Sequence, residues 1–369
     1  MQQHAYGNQA FQPLPPPTGK PPYHLSLDSV LTSAQMNAII TSGNLTFHVV
    51  GDTGGVQFPL PQQSVADAME ADFSTVGTNA PAFFYHLGDV VYYFGEAANY
   101  YPQFYEPYVH YPAPIFAIPG NHDGDINPTA PYPKAASLEA FATNFCAASP
   151  QITTDAGEIS RDAMTQPNVY WTLDTPFSTM IGLYSNVPEG GEFQQDQIDW
   201  LVSELQNAPP NKALMVSAHH PPFSADATHA GSTTMVKALD GAFNQAKITP
   251  DIVFTGHVHD YQRFTRKMPS GQDLPYIVAG AGGYWHLHTM QKQPDGSAIQ
   301  VPYNMPESGV ILESYCDDRH GYLKMNLAQN ILSGEYYAIA SSTTQTTNAG
   351  PQLIDSFSLD LKQRKLIKS

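Results

Sequence analysis

The sequence predicts an α/β fold: a four-layer α/β/β/α sandwich in which two mixed β-sheets are flanked by helices. From about Leu45 onward, short runs of β-branched and aromatic residues alternate with segments of helical period, which favours α/β layers over an all-α or all-β fold. Later runs have the alternation typical of strands and would build the second sheet. One domain over residues 41–369 is expected, since α/β domains often exceed the usual length of about 100–200 residues.

The composition is that of a folded globular protein. Hydrophobic residues make up 42% of the chain, and 21 Tyr and 18 Phe supply apolar area that offsets chain entropy. Residues 1–40 precede the predicted domain as a Pro/Gln-rich arm. This arm contains "QPLPPPTGKPP" and is expected to be extended on the surface, because proline restricts φ and lacks a backbone donor.

The first group of predicted strands consists of five short apolar runs that are stopped by turn-forming residues. These runs are 45–50, 81–87, 114–118, 212–218 and 251–255. Between them lie three segments of helical period, 64–76, 192–206 and 232–246. The clearest is 192–206, whose apolar residues at i, i+3, i+4 and i+7 are Ile198, Leu201, Val202 and Leu205.

A second group of alternating segments is expected to form the other sheet. It comprises 168–174, 178–184, 275–280, 320–327 and 354–361. Three stretches read as long loops, 123–134, 146–167 and 286–309. Loops of this length are usually functional or mobile.

Each of the five strands in the first group is followed by a side chain that can bind a metal. The strands continue into "GDTG", "GDVVYY", "PGNHD", "HHPPF" and "GHVHD". In open α/β sheets, ligands bind outside the carboxyl ends of the strands, so these five ends are expected to converge on one site. The glycines before the donors would let the backbone turn sharply and approach an ion closely.

The donor types indicate which metals would fit. Carboxylates, an amide oxygen and imidazoles, without thiolate, suit Fe, Mn, Zn or Co rather than a structural zinc site or a calcium cage. The number of donors exceeds the need of one ion, and a carboxylate can bridge two ions, which predicts a dinuclear centre. Taken alone, a "GD" pair is compatible with an ordinary turn, and "HH" with a surface or satisfied core pair.

The five blocks together resemble the calcineurin-like metallophosphoesterases, and within them the purple acid phosphatases. The resemblance rests on "GDTG", "GDVVYYFG", "GNHD", "VSAHHP" and "GHVHDYQR", in family order from Asp52 to Arg263. Many members of the superfamily have a histidine two residues after the first aspartate, where this chain has Gly54. In purple acid phosphatases a tyrosine three residues after the second aspartate replaces that ligand, and Tyr92 stands there.

The resemblance implies a ligand set for two metal ions. The first, expected to be Fe(III), would be held by Asp52, Asp89, Tyr92 and His259. The second, expected to be Fe(II), Zn(II) or Mn(II), would share Asp89 and be held also by Asn121, His219 and His257. For Tyr92 the alternative is ordinary aromatic packing, and Tyr93 is the competitor if the register slips by one residue.

The same resemblance implies the catalytic roles. A metal-bound hydroxide would attack phosphorus in line, and His122, next to Asn121, would donate a proton to the leaving-group oxygen. Asp123 would orient His122, unless it only caps a turn. His229 lies near the place of an outer histidine that binds phosphate in the family.

The expected activity is hydrolysis of phosphomonoesters, best at acid pH. A phosphodiesterase acting on nucleotides or phospholipid headgroups is the alternative enzyme, and a non-catalytic metal-dependent binding module is the alternative from another class. The presence of every expected ligand and of His122 argues against the binding module.

Charge and targeting patterns limit the partners. The balance of 16 Lys+Arg against 33 Asp+Glu gives a formal charge of −17, which argues against nucleic acid as a structural partner and favours a small phosphate ester drawn to bound metal. No apolar run is long enough for a membrane span, and the oligomeric state does not follow from the sequence. A periplasmic or secreted location, with any signal peptide already removed, is the expectation. Cys146 and Cys316 allow at most one disulfide.

Overall fold

A computed structural model describes residues 11–74, 80–132, 134–307, 309–340 and 350–367. The strands are β1 His24–Ser26, β2 Asn44–Val50, β3 Phe84–His86, β4 Ile115–Ala117, β5 Trp171–Asp174, β6 Ser178–Gly182, β7 Ala213–Ser217, β8 Ile252–Thr255, β9 Tyr261–Lys267, β10 Asp273–Ala279, β11 Tyr303–Asn304, β12 Val310–Cys316, β13 Gly321–Ala328, β14 Ile331–Ala338, β15 Gln352–Asp360 and β16 Lys365–Leu366. The α-helices are α1 Ser33–Ser42, α2 Leu60–Ala71, α3 Asn121–Gly124, α4 Glu139–Phe145, α5 Gln195–Asn207 and α6 Thr233–Ala246.

Within the described residues the strands form two mixed sheets. The larger sheet has nine strands in the order β1-β5-β6-β7-β8-β10-β9-β12-β11, and the smaller has seven in the order β16-β15-β14-β13-β2-β3-β4. Strands β2, β3 and β4 pair in parallel, as do β6, β7 and β8. Strand β10 extends the second block in parallel with β8, whereas β13 and β5 pair antiparallel with β2 and β6.

Apolar side chains fill three layers and confirm the predicted four-layer sandwich. One cluster lies between the sheets and takes residues from both, including Phe47 and Phe254. Another packs α2 on the outer face of the smaller sheet, with Val65 beside Phe84. The third packs α5 and α6 on the outer face of the larger sheet. Successive β2 residues point to opposite faces of the sheet, so this strand contributes side chains both to the layer between the sheets and to the layer under α2.

The predicted grouping of strands into sheets was wrong. The five strands expected to share a sheet are divided, with β2, β3 and β4 in the smaller sheet and β7 and β8 in the larger one. The segments expected to form the other sheet are divided as well, since β5, β6 and β10 join the larger sheet and β13 and β15 the smaller one. All these runs are short and buried, so their sequence pattern does not distinguish one sheet from the other.

Part of the predicted arm folds onto the domain. Residues 1–10 lie outside the described residues, but β1 pairs in parallel with β5, and Leu27 is fully buried in the layer between the sheets. His24 sits between Asp174 and Glu204, with ring nitrogens 2.6 and 2.7 Å from their carboxylate oxygens. These hydrogen bonds raise the pKa of His24 to about 10. Residues 24–42 are thus structurally continuous with the sandwich.

Strand β14 shows why some strands cannot be predicted from the periodicity of their sequence. Its glycine, Gly334, weakens a strand pattern because glycine has no side chain to pack. In the fold this position faces Phe357 of β15, and a Cβ there would lie 2.4 Å from the Phe357 ring. Glycine is therefore required by the neighbouring strand, which the local sequence does not reveal.

The two cysteines are not bonded to each other. Cys146 and Cys316 are both buried and free, so they do not form a disulfide. None of the helices in the described ranges has the length and apolar character needed to cross a bilayer.

Candidate metal centre

The carboxyl ends of five strands, three from the smaller sheet and two from the larger, meet at one place. Asp52 follows β2, Asp89 follows β3 and Asn121 follows β4, while His219 follows β7 and His257 follows β8. The seam between the two sheets therefore brings together residues that are about 200 positions apart in the sequence. The structure brings together all seven predicted metal ligands, which also include Tyr92 and His259.

The backbone turns sharply where the chain leaves these strands. Asp52, Asp89 and His257 have φ values of 57°, 53° and 68°, in the left-handed region that costs a non-glycine residue about 1–2 kcal/mol. The preceding glycines chiefly provide room. A Cβ at Gly120 would lie 2.1 Å from Asp89 Oδ1, and one at Gly256 would lie 2.5 Å from Asp52 Oδ2. At Gly120 and Gly256 the predicted close approach is thus a matter of space, whereas Gly88, before Asp89, also has a φ of 95°.

One group of donors surrounds the phenol of Tyr92. Tyr92 Oη donates to Asp52 Oδ1 at 3.2 Å and lies 3.3 Å from His259 Nε2, which is itself 3.6 Å from Asp52 Oδ1. Tyr92 is 1% exposed, whereas the hydroxyl of Tyr93 accepts a hydrogen bond from Gln57 and has no described hydrogen bond to Asp52 or His259. The structure therefore favours Tyr92 over Tyr93 as the phenol of the site.

The second group of donors lies around Asp89. Asp89 Oδ2 is 3.3 Å from His219 Nε2, and His257 Nδ1 is 3.0 Å from Asn121 Oδ1. Candidate ligand atoms of Asp89, His219 and His257 all lie within 4.8 Å of one another, a spacing that one ion can satisfy. His219 Nδ1 donates to the Leu87 carbonyl at 2.8 Å, which directs Nε2 towards Asp89.

His219 provides a test of whether a cation fits. Its Nε2 is buried and has no hydrogen-bond partner among the described residues, although buried polar atoms are normally paired. The nearest groups are carboxylate oxygens of Asp89 at 3.3 Å and Asp52 at 3.9 Å. No lysine or arginine of the described part of the chain forms an ion pair with either aspartate. A metal ion would satisfy both the imidazole and the buried negative charge.

The pKa values reflect the burial of these groups and the charges that they exert on one another. Burial, reinforced by the charge of Asp89, raises the pKa of Asp52 well above its usual range. Burial, with Asp89 and Asp52 nearby, also raises the pKa of Tyr92 well above its usual range. Burial opposes protonation of His219, but Asp89 and Asp52 raise its pKa to about 9. A bound cation would take the place of these protons.

His122 and Asp123 stand on the turn that follows β4. The backbone N–H of His122 donates to Asp89 Oδ1 at 2.9 Å, and His122 Nδ1 lies 2.7 Å from the Tyr93 carbonyl. The carbonyl can only accept, so Nδ1 is the donor and Nε2 faces Asp89 Oδ2 at 4.0 Å. The Asp123 carboxylate accepts from the backbone of Gly120 and Val90, which holds the turn.

His229, the predicted phosphate-binding residue, lies at the mouth of the centre. Its ring centroid is 5.0 Å from that of His257, and its side chain is 27% exposed. Two residues lie beside it: His288, for which the sequence left the mouth of the site and a surface loop equally open, and Glu189, which sequence reasoning missed. Glu189 Oε1 lies 3.7 Å from His257 Nε2 and 4.0 Å from His229 Nε2, and the His288 ring stacks on that of His229 at 4.5 Å. His288 carries the signal of a histidine soon after a strand, whereas Glu189 carries none.

His220, the neighbour of His219 in "HH", packs against the ring of His257. It is fully buried, its Nδ1 lies 2.8 Å from Ser185 Oγ, and its ring centroid is 4.3 Å from that of His257. Burial lowers the pKa of His220 well below its usual range, so the ring is neutral. The contact limits the movement of the His257 ring.

A family model described as "Calcineurin-like phosphoesterase" matches residues 45–261. Among curated proteins, purple acid phosphatase 21 of Arabidopsis thaliana is 31% identical over 130 residues, which cover 33% of this chain and 28% of that protein. Purple acid phosphatase 22 of the same plant is 27% identical over 130 residues, covering 33% and 29% of the two chains. The matched part thus spans less than a third of these curated relatives.

Two solved structures share the fold over most of the chain. GAP50, titled the anchor in the inner membrane complex of Plasmodium, aligns with a TM-score of 0.52 and 14% identity, covering 85% of this chain and 89% of that one. PhoD aligns with a TM-score of 0.52 and 13% identity, covering 88% and 71%. At these low identities the similarity shows a shared fold alone.

Proposed function

The chain belongs to the calcineurin-like phosphoesterase family, and on that premise we propose that it is a purple acid phosphatase-like enzyme that hydrolyses phosphomonoesters at a centre of two metal ions. The observation that carries the proposal is the convergence of seven donor side chains on one seam, with the buried His219 Nε2 facing Asp89 and lacking a hydrogen bond. Two buried carboxylates with no lysine or arginine partner among the described ion pairs are costly in a site built only for stability.

The donor set supports two ions rather than one. Asp52, Tyr92 and His259 would hold the first, and Asn121, His219 and His257 the second, with Asp89 shared between them. When bound, the ions would attract the phosphate, offset its charge and supply a nucleophilic water at moderate pH. The protein contributes the orientation of each donor, for example through the Leu87 carbonyl behind His219 and the His286 carbonyl behind His259.

His122 would act as the proton donor to the leaving group. The Tyr93 carbonyl holds Nδ1, and the 4.0 Å approach to Asp89 Oδ2 directs Nε2 to the centre. Its side chain is 13% exposed, which leaves it accessible to a substrate. Asp123 would act indirectly, by holding the turn on which His122 stands, and His229 would contact the phosphate from the mouth.

Turnover of two related esters tests the proposed activity. The metal-loaded protein is expected to hydrolyse p-nitrophenyl phosphate with a kcat/KM at least about tenfold above that for bis(p-nitrophenyl) phosphate, a difference of about 1.4 kcal/mol. A chelator is expected to abolish turnover of both, and added metal to restore it. Preference for the bis ester would point to a phosphodiesterase, and lack of turnover of either ester would point to a binding module.

The tyrosine of the first site permits a spectroscopic prediction for iron. The iron-loaded protein is expected to absorb visible light through charge transfer from the Tyr92 phenolate to Fe(III), and Tyr92→Phe to lose the band. Tyr93→Phe is the matched control, because Tyr93 is adjacent but contacts Gln57, and it is expected to keep the band. A colourless iron-loaded protein, or a band lost in the control instead, would contradict the assignment.

A periplasmic or secreted location is part of the proposal and rests on the resemblance to purple acid phosphatases. Fractionation of the source cells tests it directly, since an enzyme of this type would be recovered outside the cytoplasm.

A further inference from the structure

Three side chains beside the dinuclear centre form a separate cluster, here called the outer site: Asp226, His229 and His288. Asp226 and His229 lie on the loop after β7, and His288 lies on the loop after β10. Backbone hydrogen bonds join the two loops, from Ala227 to the Thr289 carbonyl at 2.9 Å and from Gln291 to the Ala225 carbonyl at 2.8 Å. The outer site is therefore held by a framework of its own rather than by flexible side chains alone.

The spacing of the donor atoms in the outer site suits a cation. His229 Nδ1 and His288 Nδ1 are 3.2 Å apart, and Asp226 Oδ1 is 3.7 Å from His288 Nδ1. The two rings are parallel to within 4°, so the partly exposed His229 ring would turn to direct both nitrogens at one ion. Two ligands of a tetrahedral zinc ion with bonds of about 2.0–2.1 Å lie about 3.3 Å apart. Candidate ligand atoms of all three residues lie within 4.8 Å of one another.

Asp226 supplies a second and independent observation. It is fully buried, and its Oδ2 has no hydrogen-bond partner among the described residues. Its Oδ1 accepts from the backbone of Thr228 and His229, and the described ion pairs give it no lysine or arginine. Removing a carboxylate from water is costly unless a counter-charge or further hydrogen bonds compensate it.

We propose that Asp226, His229 and His288 bind a third cation, a zinc-like divalent ion, next to the two ions of the proposed centre. Two imidazoles and one carboxylate are a ligand set that zinc accepts, with a further position left for water or substrate. The His229 side chain is 27% exposed, which leaves the outer site open to solvent.

The third cation would also determine the tautomer of His229. A cation on Nδ1 places the proton on Nε2, the atom that lies 4.0 Å from Glu189 Oε1 and faces His257. His229 would then present an N–H to a phosphate oxygen. This consequence rests on the proposed phosphatase function, whereas binding of the third cation does not.

Metal content distinguishes this proposal from a simple hydrogen bond between the two histidines. The full chain is stripped of metal, loaded with Zn²⁺, freed of excess ion and analysed by elemental mass spectrometry. The wild type is expected to hold three ions per chain and His288→Ala two. His286→Ala is the matched control, because its exposed ring lies two residues away on the same loop, and it is expected to hold three.

The difference between variants separates failure of the third site from failure of the dinuclear centre. If the dinuclear centre did not load, His288→Ala would still hold one ion fewer than the wild type. Equal zinc content in the wild type and a folded His288→Ala would overturn the proposal. Asp226→Asn, which retains an acceptor for the two backbone N–H groups, is expected to weaken binding of the third ion by at least about tenfold in a zinc titration. An unchanged titration would likewise overturn it.

Discussion

Replacing Asp89 with asparagine is expected to lower kcat/KM for p-nitrophenyl phosphate by at least about 10³-fold, or about 4 kcal/mol of transition-state stabilisation. Asp89 is 1% exposed, lies 3.3 Å from His219 Nε2 and accepts from the backbone of His122. It is the carboxylate that the two proposed ions would share. Its charge also lies close to the imidazole of His219, so asparagine removes the negative charge and one of the two oxygens that the ions would share.

Metal analysis should accompany this kinetic measurement. The Asp89→Asn protein is expected to hold at least one ion fewer per chain than the wild type. Asp251→Asn is a suitable control, because Asp251 is also buried. Its carboxylate accepts from the backbone N–H of Leu214 and forms an ion pair with Arg364, away from the centre. It is expected to retain metal and activity even where its stability falls. Full metal content and more than about a tenth of the wild-type activity in Asp89→Asn would contradict the role given to this residue.

The second large effect is expected from His122→Ala and depends on the leaving group. With phenyl phosphate, whose leaving oxygen needs a proton, kcat is expected to fall by about 10²–10³-fold. With 2,4-dinitrophenyl phosphate, whose leaving group departs as a stable anion, the fall should be less than about tenfold. The physical reason is the position of His122, with Nδ1 held by the Tyr93 carbonyl and Nε2 directed at the centre.

Two measurements separate proton donation from a structural effect of His122. A damaged centre would slow both esters equally, so an equal loss would count against the proposed acid. His122 also contributes the backbone N–H that reaches Asp89, and this contact is retained in the alanine variant. The basic limb of the pH profile for kcat with phenyl phosphate is expected to flatten in His122→Ala.

Strand ends were the informative part of the sequence. Each predicted ligand stands within a few residues of a short apolar run, as Asp52 does after β2 and His257 after β8. Such runs indicate buried strands whatever their neighbours, and parallel strands present their carboxyl ends at one edge. The donors and the four-layer fold could therefore be predicted together from local patterns.

Sheet membership could not be predicted in the same way. Strands β3 and β7 are both short and fully buried, yet they belong to different sheets, and the ligands that follow them meet across the seam. The early segment His24–Ser26, assigned from sequence to an arm, became an edge strand because its partner β5 is about 150 residues away. Pairing of this kind depends on contacts at long range rather than on the local pattern.

By itself, the sequence determined the chemistry available to this protein: carboxylates, an amide, imidazoles and a phenol at the ends of predicted strands. Only the tertiary structure decided which atoms face one another. The approach of His219 to Asp89, the approach of Glu189 to His257 and the contact of His229 with His288 all arise where separate loops pack together. The physical reason is that residue spacing is set by covalent geometry, whereas these contacts depend on how two sheets and their loops are packed.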